Sequence, residues 1–113
     1  MSEPEEEFEE VGAWAFKSDL SLAQMLAALG AQGRWQWSER DSDYWGDYLS
    51  AWAYDDCARV RIFEEDDFFV VDLLFESSAA DAAEKWQAFQ DEIMTGVLPA
   101  LGARDVAETE SYG

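Results

Sequence analysis

The chain has 113 residues, of which 49% are hydrophobic and 15% aromatic, so it can bury one core as a single domain. Its 26 Asp and Glu against 7 Lys and Arg give a net charge of −19, which repels nucleic acid and anionic membranes and attracts basic proteins. The absence of His, the single Cys and the lack of long apolar runs exclude histidine-based catalysis, histidine metal sites, an internal disulfide and a membrane span.

The N-terminal part predicts a tail, a strand and a helix. Residues 1–10 contain six Glu and predict an acidic tail before a single α+β domain over residues 11–113. Because this tail lacks the basic region of a secretory signal, we expect a cytoplasmic location. Residues 11–17 alternate in polarity and predict a strand, and residues 18–30 have the apolar spacing of a helix that ends at Gly30.

The central part predicts four strands in a meander and then a second helix. Period-two alternation marks the strands at residues 34–40, 48–54, 57–63 and 67–76. Residues 77–94 return to helical spacing, which indicates a long amphipathic helix.

The C-terminal part predicts one more short strand. Gly96 and Pro99 disfavour further helix, and residues 103–110 have strand-like composition. The order β-α-β-β-β-β-α-β predicts an α+β fold with a mostly antiparallel sheet and both helices on one face, ferredoxin-like with an enlarged central meander.

The strand register separates two faces of the sheet. Two-residue turns at residues 55–56 and 65–66 would pair Trp52 with Arg59 and Arg59 with Asp72. The predicted helix-covered face contains Trp35, Trp37, Leu49, Ala51, Ala53, Val60, Ile62, Phe69, Val71 and Leu73. The predicted open face contains Arg34, Arg40, Tyr48, Trp52, Tyr54, Arg59, Arg61, Phe63, Phe68, Val70 and Asp72. This second face is rich in Arg and aromatic residues and is either a set of cross-strand pairs or an interaction face.

The segment "DSDYWGDYLSAWAYDD", residues 41–56, is the most distinctive of the sequence. Its first acids, Asp41 and Asp43, resemble the start of a calcium-binding loop, but Trp45 and Trp52 stand where that loop requires oxygen ligands. We therefore expect no metal, no cofactor and no catalytic residue. A carboxylate-based enzyme is the remaining catalytic alternative.

The same segment combines acidic side chains with aromatic ones. Aromatic anchors surrounded by charges suit a protein interface, because the aromatics supply contact area and the charges speed association with a basic partner. The predicted partner-binding residues are Asp41, Asp43, Tyr44, Trp45, Asp47, Tyr48, Trp52, Asp55 and Asp56.

In size, acidity, lack of catalytic residues and α+β pattern, the chain resembles bacterial toxin-immunity proteins as a broad class. The resemblance implies an inhibitor that occludes a basic toxin or nuclease, with acidic side chains replacing a polyanionic substrate or blocking the entrance to the site. The alternatives are a regulatory or adaptor domain, homodimeric through the open face, and a nucleic-acid mimic. An acidic surface that serves only solubility or a high-salt habitat is a further alternative.

Overall fold

The computed structural model describes residues 8–44, 46–54 and 56–111. Within these ranges, six strands and two main helices follow one another in the predicted order. The strands are β1 Phe8–Lys17, β2 Trp37–Ser42, β3 Gly46–Ala53, β4 Ala58–Glu64, β5 Phe69–Ser77 and β6 Arg104–Thr109. The helices are α1 Leu22–Gln32 and α2 Ala82–Glu92, and α2 continues through a π-helical turn, Ile93–Val97, into the short α3, Leu98–Ala100.

The strands form one open antiparallel sheet in the order β2-β3-β4-β5-β1-β6. The predicted α+β fold is confirmed, and the predicted meander forms four consecutive neighbours, β2 to β5. β1 lies between β5 and β6 and begins at Phe8, three residues before the predicted strand. The Phe8 ring packs edge-on against Phe75, 5.8 Å between centroids, which explains the extension into the predicted tail. The rest of that tail, residues 1–7, lies outside the described residues.

The observed register confirms one predicted hairpin and shifts another. Trp52 lies opposite Arg59, as predicted. The prediction that Arg59 pairs with Asp72 is wrong, because Arg61 takes that position. The tip of this hairpin is one residue further along, closed by the Glu65 N–H, which donates to the Phe68 carbonyl at 2.8 Å. The shift changes each partner by two residues, so the side chains of β4 and β5 keep their predicted faces.

Local hydrogen bonds set the ends of α1. The Ser21 hydroxyl accepts from the Gln24 N–H at 3.2 Å, and the Gln24 side chain accepts from the Ser21 N–H at 2.9 Å. This capping box satisfies two of the free N–H groups of the first turn. The helix continues past Gly30, its predicted end, to a left-handed cap at Gly33 with φ 65°.

The second helix is shifted along the chain relative to the prediction of residues 77–94: it begins at Ala82, and helical structure continues to Ala100. Beyond Ile93 the chain widens into the π-helical turn, where the Leu98 N–H donates to the Ile93 carbonyl. Pro99 is the second residue of α3 and follows the π-helical turn directly, so the chain stays helical past the proline that was expected to end it. In the part of the chain that is described, no helix is long and apolar enough to cross a membrane.

Both helices cover one face of the sheet, and the core lies between the helices and that face. α1 contacts β2 and β3, and α2 contacts β1 and β5. Of the ten residues predicted for the helix-covered face, eight are buried and Trp35 and Trp37 are half-buried against them. Met25, Leu29, Phe89 and Ile93 fill the core from the helices.

Two residues assigned to the open face lie on the helix side instead. Tyr54 packs its ring against Phe89, 5.8 Å between centroids, and Arg34 forms an ion pair with Glu92. Both lie outside the strands: Tyr54 follows β3 with φ 53°, and Arg34 precedes β2. The period-two alternation of side chains therefore does not apply to either residue.

Candidate protein-interaction surface

The first predicted contact residues lie in the β2–β3 hairpin. Asp41 and Asp47 are directly opposite each other across the ladder, and both are exposed. Asp43 and Tyr44 form the turn, and Tyr44 is 89% exposed. The loop between these strands, predicted over residues 41–47, is therefore shorter in the structure, because β2 continues to Ser42 and β3 begins at Gly46. Like charges directly opposite one another destabilise a sheet, so the Asp41–Asp47 pair is unfavourable for the stability of this hairpin.

The structure does not bring all nine predicted residues together. Asp56 is exposed in the β3–β4 turn, at the far end of β3 from Asp47. Seven residue steps along a strand correspond to roughly 24 Å. Trp45 and Asp55 lie outside the described residues. Of the described residues, Asp41, Asp43, Tyr44 and Asp47 therefore lie at one end of the sheet and Asp56 at the other, with Tyr48 and Trp52 of β3 between them.

These two aromatic residues, Tyr48 and Trp52, lie on the open face as predicted. The Tyr48 ring packs on Phe63 with 5.1 Å between centroids. The Arg59 guanidinium lies over the Trp52 ring, 5.3 Å from its centroid, and Trp52 remains 49% exposed. Tyr48 therefore helps to cover the sheet, whereas Trp52 offers a large ring to solvent.

A second acidic turn lies beside the β2–β3 hairpin and was absent from the predicted contact residues. Tyr48 is paired with Phe63, so the end of β4 and the β4–β5 turn lie at the same end of the sheet as the start of β3. We call this set of exposed carboxylates the acidic end: Glu39, Asp41, Asp43, Asp47, Glu64, Asp66 and Asp67. Antiparallel hairpin connectivity, which places alternate turns at one end of a sheet, could have identified the added residues.

Part of the acidic end lies next to the start of α1. Glu39, Asp47 and Glu64 line a shallow depression together with the first residues of that helix. α1 has no acidic residue in its own first turn. Its partly positive N-terminus therefore offsets some of the repulsion among the sheet carboxylates.

The ion pairs of the protein leave the acidic end largely uncompensated. In the ranges that are described, ion pairs within 4 Å engage other carboxylates: Asp19, Asp72, Asp81 and Glu92. Arg40, opposite Tyr48 in the ladder, lies on the open face of the same hairpin. Among residues with defined positions, no group of three or more acidic or cysteine side chains could hold a metal ion. The acidic end is thus a broad negative surface.

The centre of the open face is closed by its own contacts. Arg61 and Asp72 form a buried ion pair, 3.3 Å from Nη2 to Oδ1, with side chains 6% and 0% exposed. The Ser111 hydroxyl donates to Asp72 at 2.8 Å, and the Arg59 Nε–H donates to Ser50 at 3.2 Å. The cross-strand pairing expected of this face is therefore present, with Arg61 in place of Arg59.

A polar cluster on the helix side joins β3 to α2. The Tyr54 hydroxyl donates to Glu92 at 2.7 Å, and Arg34 lies 3.6 Å from the other oxygen of the same carboxylate. Burial, reinforced by this hydrogen bond, raises the pKa of the Tyr54 phenol above its ordinary value. The cluster holds its tyrosine neutral and helps to fix the end of β3.

No protein-family model matches the chain, and a search of curated proteins finds no match for it.

Proposed function

We propose that this protein is a small acidic binding module that neutralises a basic protein, most concretely an immunity protein or inhibitor that occludes a toxin or nuclease. The acidic end carries this proposal. Two adjacent turns and the strands beside them present seven exposed carboxylates within one surface of a protein of net charge −19.

The chemistry of the acidic end suits such a partner. A broad negative surface accelerates encounter with a positively charged protein and makes the association depend strongly on salt. The exposed ring of Tyr44 lies at the tip of the same hairpin. Tyr is enriched among the residues that contribute most to binding energy at protein interfaces. The acidic end therefore combines a long-range attraction with an aromatic contact.

The test begins with identification of a partner captured from a native lysate. Its association with this protein is then measured by stopped-flow fluorescence at low and high salt. The triple variant Asp41→Asn, Asp43→Asn, Asp47→Asn should associate on the order of tenfold more slowly at low salt. Its circular dichroism should not change, because all three side chains are exposed.

A matched control removes the same charge from another surface. The variant Asp105→Asn, Glu108→Gln, Glu110→Gln alters three exposed acids in or next to β6, on the opposite edge of the sheet. It should associate at nearly the native rate. Equal slowing by both variants would show that net charge alone matters, and no slowing by the first variant would refute the proposal. An inhibitor also requires that the captured partner lose its activity when this protein binds.

The open face supports the second candidate, a regulatory or adaptor domain that forms a homodimer. The observation in its favour is the exposure of Trp52 and Val11 on that face, 49% and 53%. Sedimentation over a concentration series distinguishes the two functions. A dimer that is lost on Trp52→Ala, together with no effect of the acidic-end variant, would favour the homodimeric domain.

A further inference from the structure

β2, Trp37–Ser42, forms one edge of the sheet. In the ranges that the structure describes, it pairs with β3 alone, through six consecutive residue pairs without a shift of register. The outer side of an edge strand carries a row of backbone N–H and C=O groups that can pair with a further strand. The four central residues of β2 are exposed. This edge is therefore regular and accessible.

The other edge of the sheet, β6, is less suited to a further strand. The register of β6 against β1 shifts between Ala15 and Lys17, and Asp105 of β6 has a φ of 53°. Such an irregularity bends a strand and interrupts its ladder. A continuous added ladder is therefore favoured at β2.

The side chains of β2 give its edge a defined pattern of charge. Glu39 is paired with the core residue Leu49, so Glu39 and Asp41, two residues further, lie on the helix side of the sheet. Arg40, between them, lies on the open face. A strand next to β2 would thus meet two carboxylates on one face, roughly 7 Å apart along the strand, and a guanidinium on the other.

These charges oppose pairing with a second copy of the chain. When two β2 strands pair antiparallel with their helices on the same side, residues of the same face meet. Centred on residue 39, Glu39 meets Glu39; centred on residue 40, Glu39 meets Asp41 and Arg40 meets Arg40. Like charges in these positions are unfavourable, and a net charge of −19 on each copy adds to the repulsion. A basic strand meets no such opposition from the two acids.

We propose that β2 accepts an extended basic segment of a partner protein as a seventh strand of the sheet. Lysine or arginine side chains at alternate positions of that segment lie next to Glu39 and Asp41. The backbone hydrogen bonds of an added strand supply affinity, and its alternate side chains supply specificity. The presence of such a segment in a natural partner rests on the proposed function, whereas the binding of a basic strand to β2 does not.

A synthetic peptide tests this edge without the partner. Isotope-labelled protein is titrated with a capped six-residue peptide that has lysine at positions 2 and 4, valine at position 6 and threonine elsewhere, and is followed by NMR. Antiparallel to β2, the peptide places its lysines opposite Asp41 and Glu39 and its valine opposite Trp37. We expect saturable shifts of the β2 amide signals, with a Kd on the order of 1 mM, and slower hydrogen exchange of those amides.

Two altered peptides keep the charge and remove the fit. With lysine at positions 2 and 3, one lysine lies opposite Arg40, so the Kd should rise at least about threefold. With N-methyl groups at positions 2 to 5, the peptide has no central N–H groups to donate and should give no saturable shift. Equal binding of either altered peptide would overturn the added strand. So would protection of the β2 amides that rises with protein concentration alone, because it would show that a second copy occupies the edge.

Substitutions locate the added strand on the protein. Glu39→Gln and Asp41→Asn should each raise the Kd of the first peptide about threefold, as expected for an exposed ion pair. The control Asp43→Asn removes one charge from the turn beyond β2 and should leave the Kd unchanged. A similar loss in the control would show attraction by the acidic end as a whole and refute the proposal. Because the association rate of the captured partner tests the proposed function separately, peptide binding and partner association can fail independently.

Discussion

Breaking the buried ion pair between Arg61 and Asp72 should lower the free energy of unfolding strongly, whereas replacing both residues by apolar ones should lower it little. In Asp72→Asn the side chain keeps its size, but the Arg61 guanidinium loses its counter-ion in a place where only 6% of it is exposed. Two unit charges 3.3 Å apart attract by about 5 kcal/mol at an effective dielectric constant near 20. Desolvation of both ions opposes this attraction, and breaking a buried pair usually costs about 3–5 kcal/mol. We expect a loss near 3 kcal/mol because the substitution creates no cavity.

Urea unfolding followed by tryptophan fluorescence measures this loss as a change in the free energy of unfolding. The control is Asp81→Asn, which breaks an exposed pair with Lys85. That change should cost less than about 0.5 kcal/mol, because exposed pairs of this spacing contribute little. The double variant Arg61→Met, Asp72→Leu should recover most of the stability, since it removes both charges. Equal effects of the two Asn variants, or a double variant no more stable than Asp72→Asn, would refute this account.

Two further predictions concern Tyr54 and the start of α1. Because its pKa is raised in the native state, Tyr54 keeps its proton at a pH where the unfolded chain releases it, so stability falls as the pH rises above about 10. Tyr54→Phe should therefore lose less stability than the native protein between pH 8 and pH 11 in urea unfolding, and an identical loss would contradict this. Ser21→Ala removes the capping box and should lower the free energy of unfolding by about 1 kcal/mol, whereas an unchanged urea midpoint would show that the cap contributes nothing.

The elements and the two faces of the sheet followed from the sequence because they depend on short-range periodicity. The alternation of Leu49, Ala51 and Ala53 places all three in the core, and the helical spacing of Met25 and Leu29 does the same. Predictions failed where the chain leaves a regular element. Tyr54 follows a strand and turns towards the helices, a direction that no alternation specifies.

The candidate surface was predicted only in part for a related reason. The sequence identified Asp41, Asp43 and Asp47 because they are close together along the chain. Glu64 and Asp66 are distant from them along the chain, and it is the alternation of turns in the meander that brings these residues to the same end of the sheet.

The sequence by itself determined the fold class, the composition of the core and the strongly acidic character of the surface, since each depends on residue type and local spacing. Only the tertiary structure decided which acids are exposed side by side: Asp41 lies opposite Asp47 at one end of the sheet, next to the turn after β4, and Asp56 lies at the other end. The reason is geometric: a strand of eight residues separates its two turns by roughly 24 Å, while hydrogen bonding between strands brings residues distant in sequence into contact.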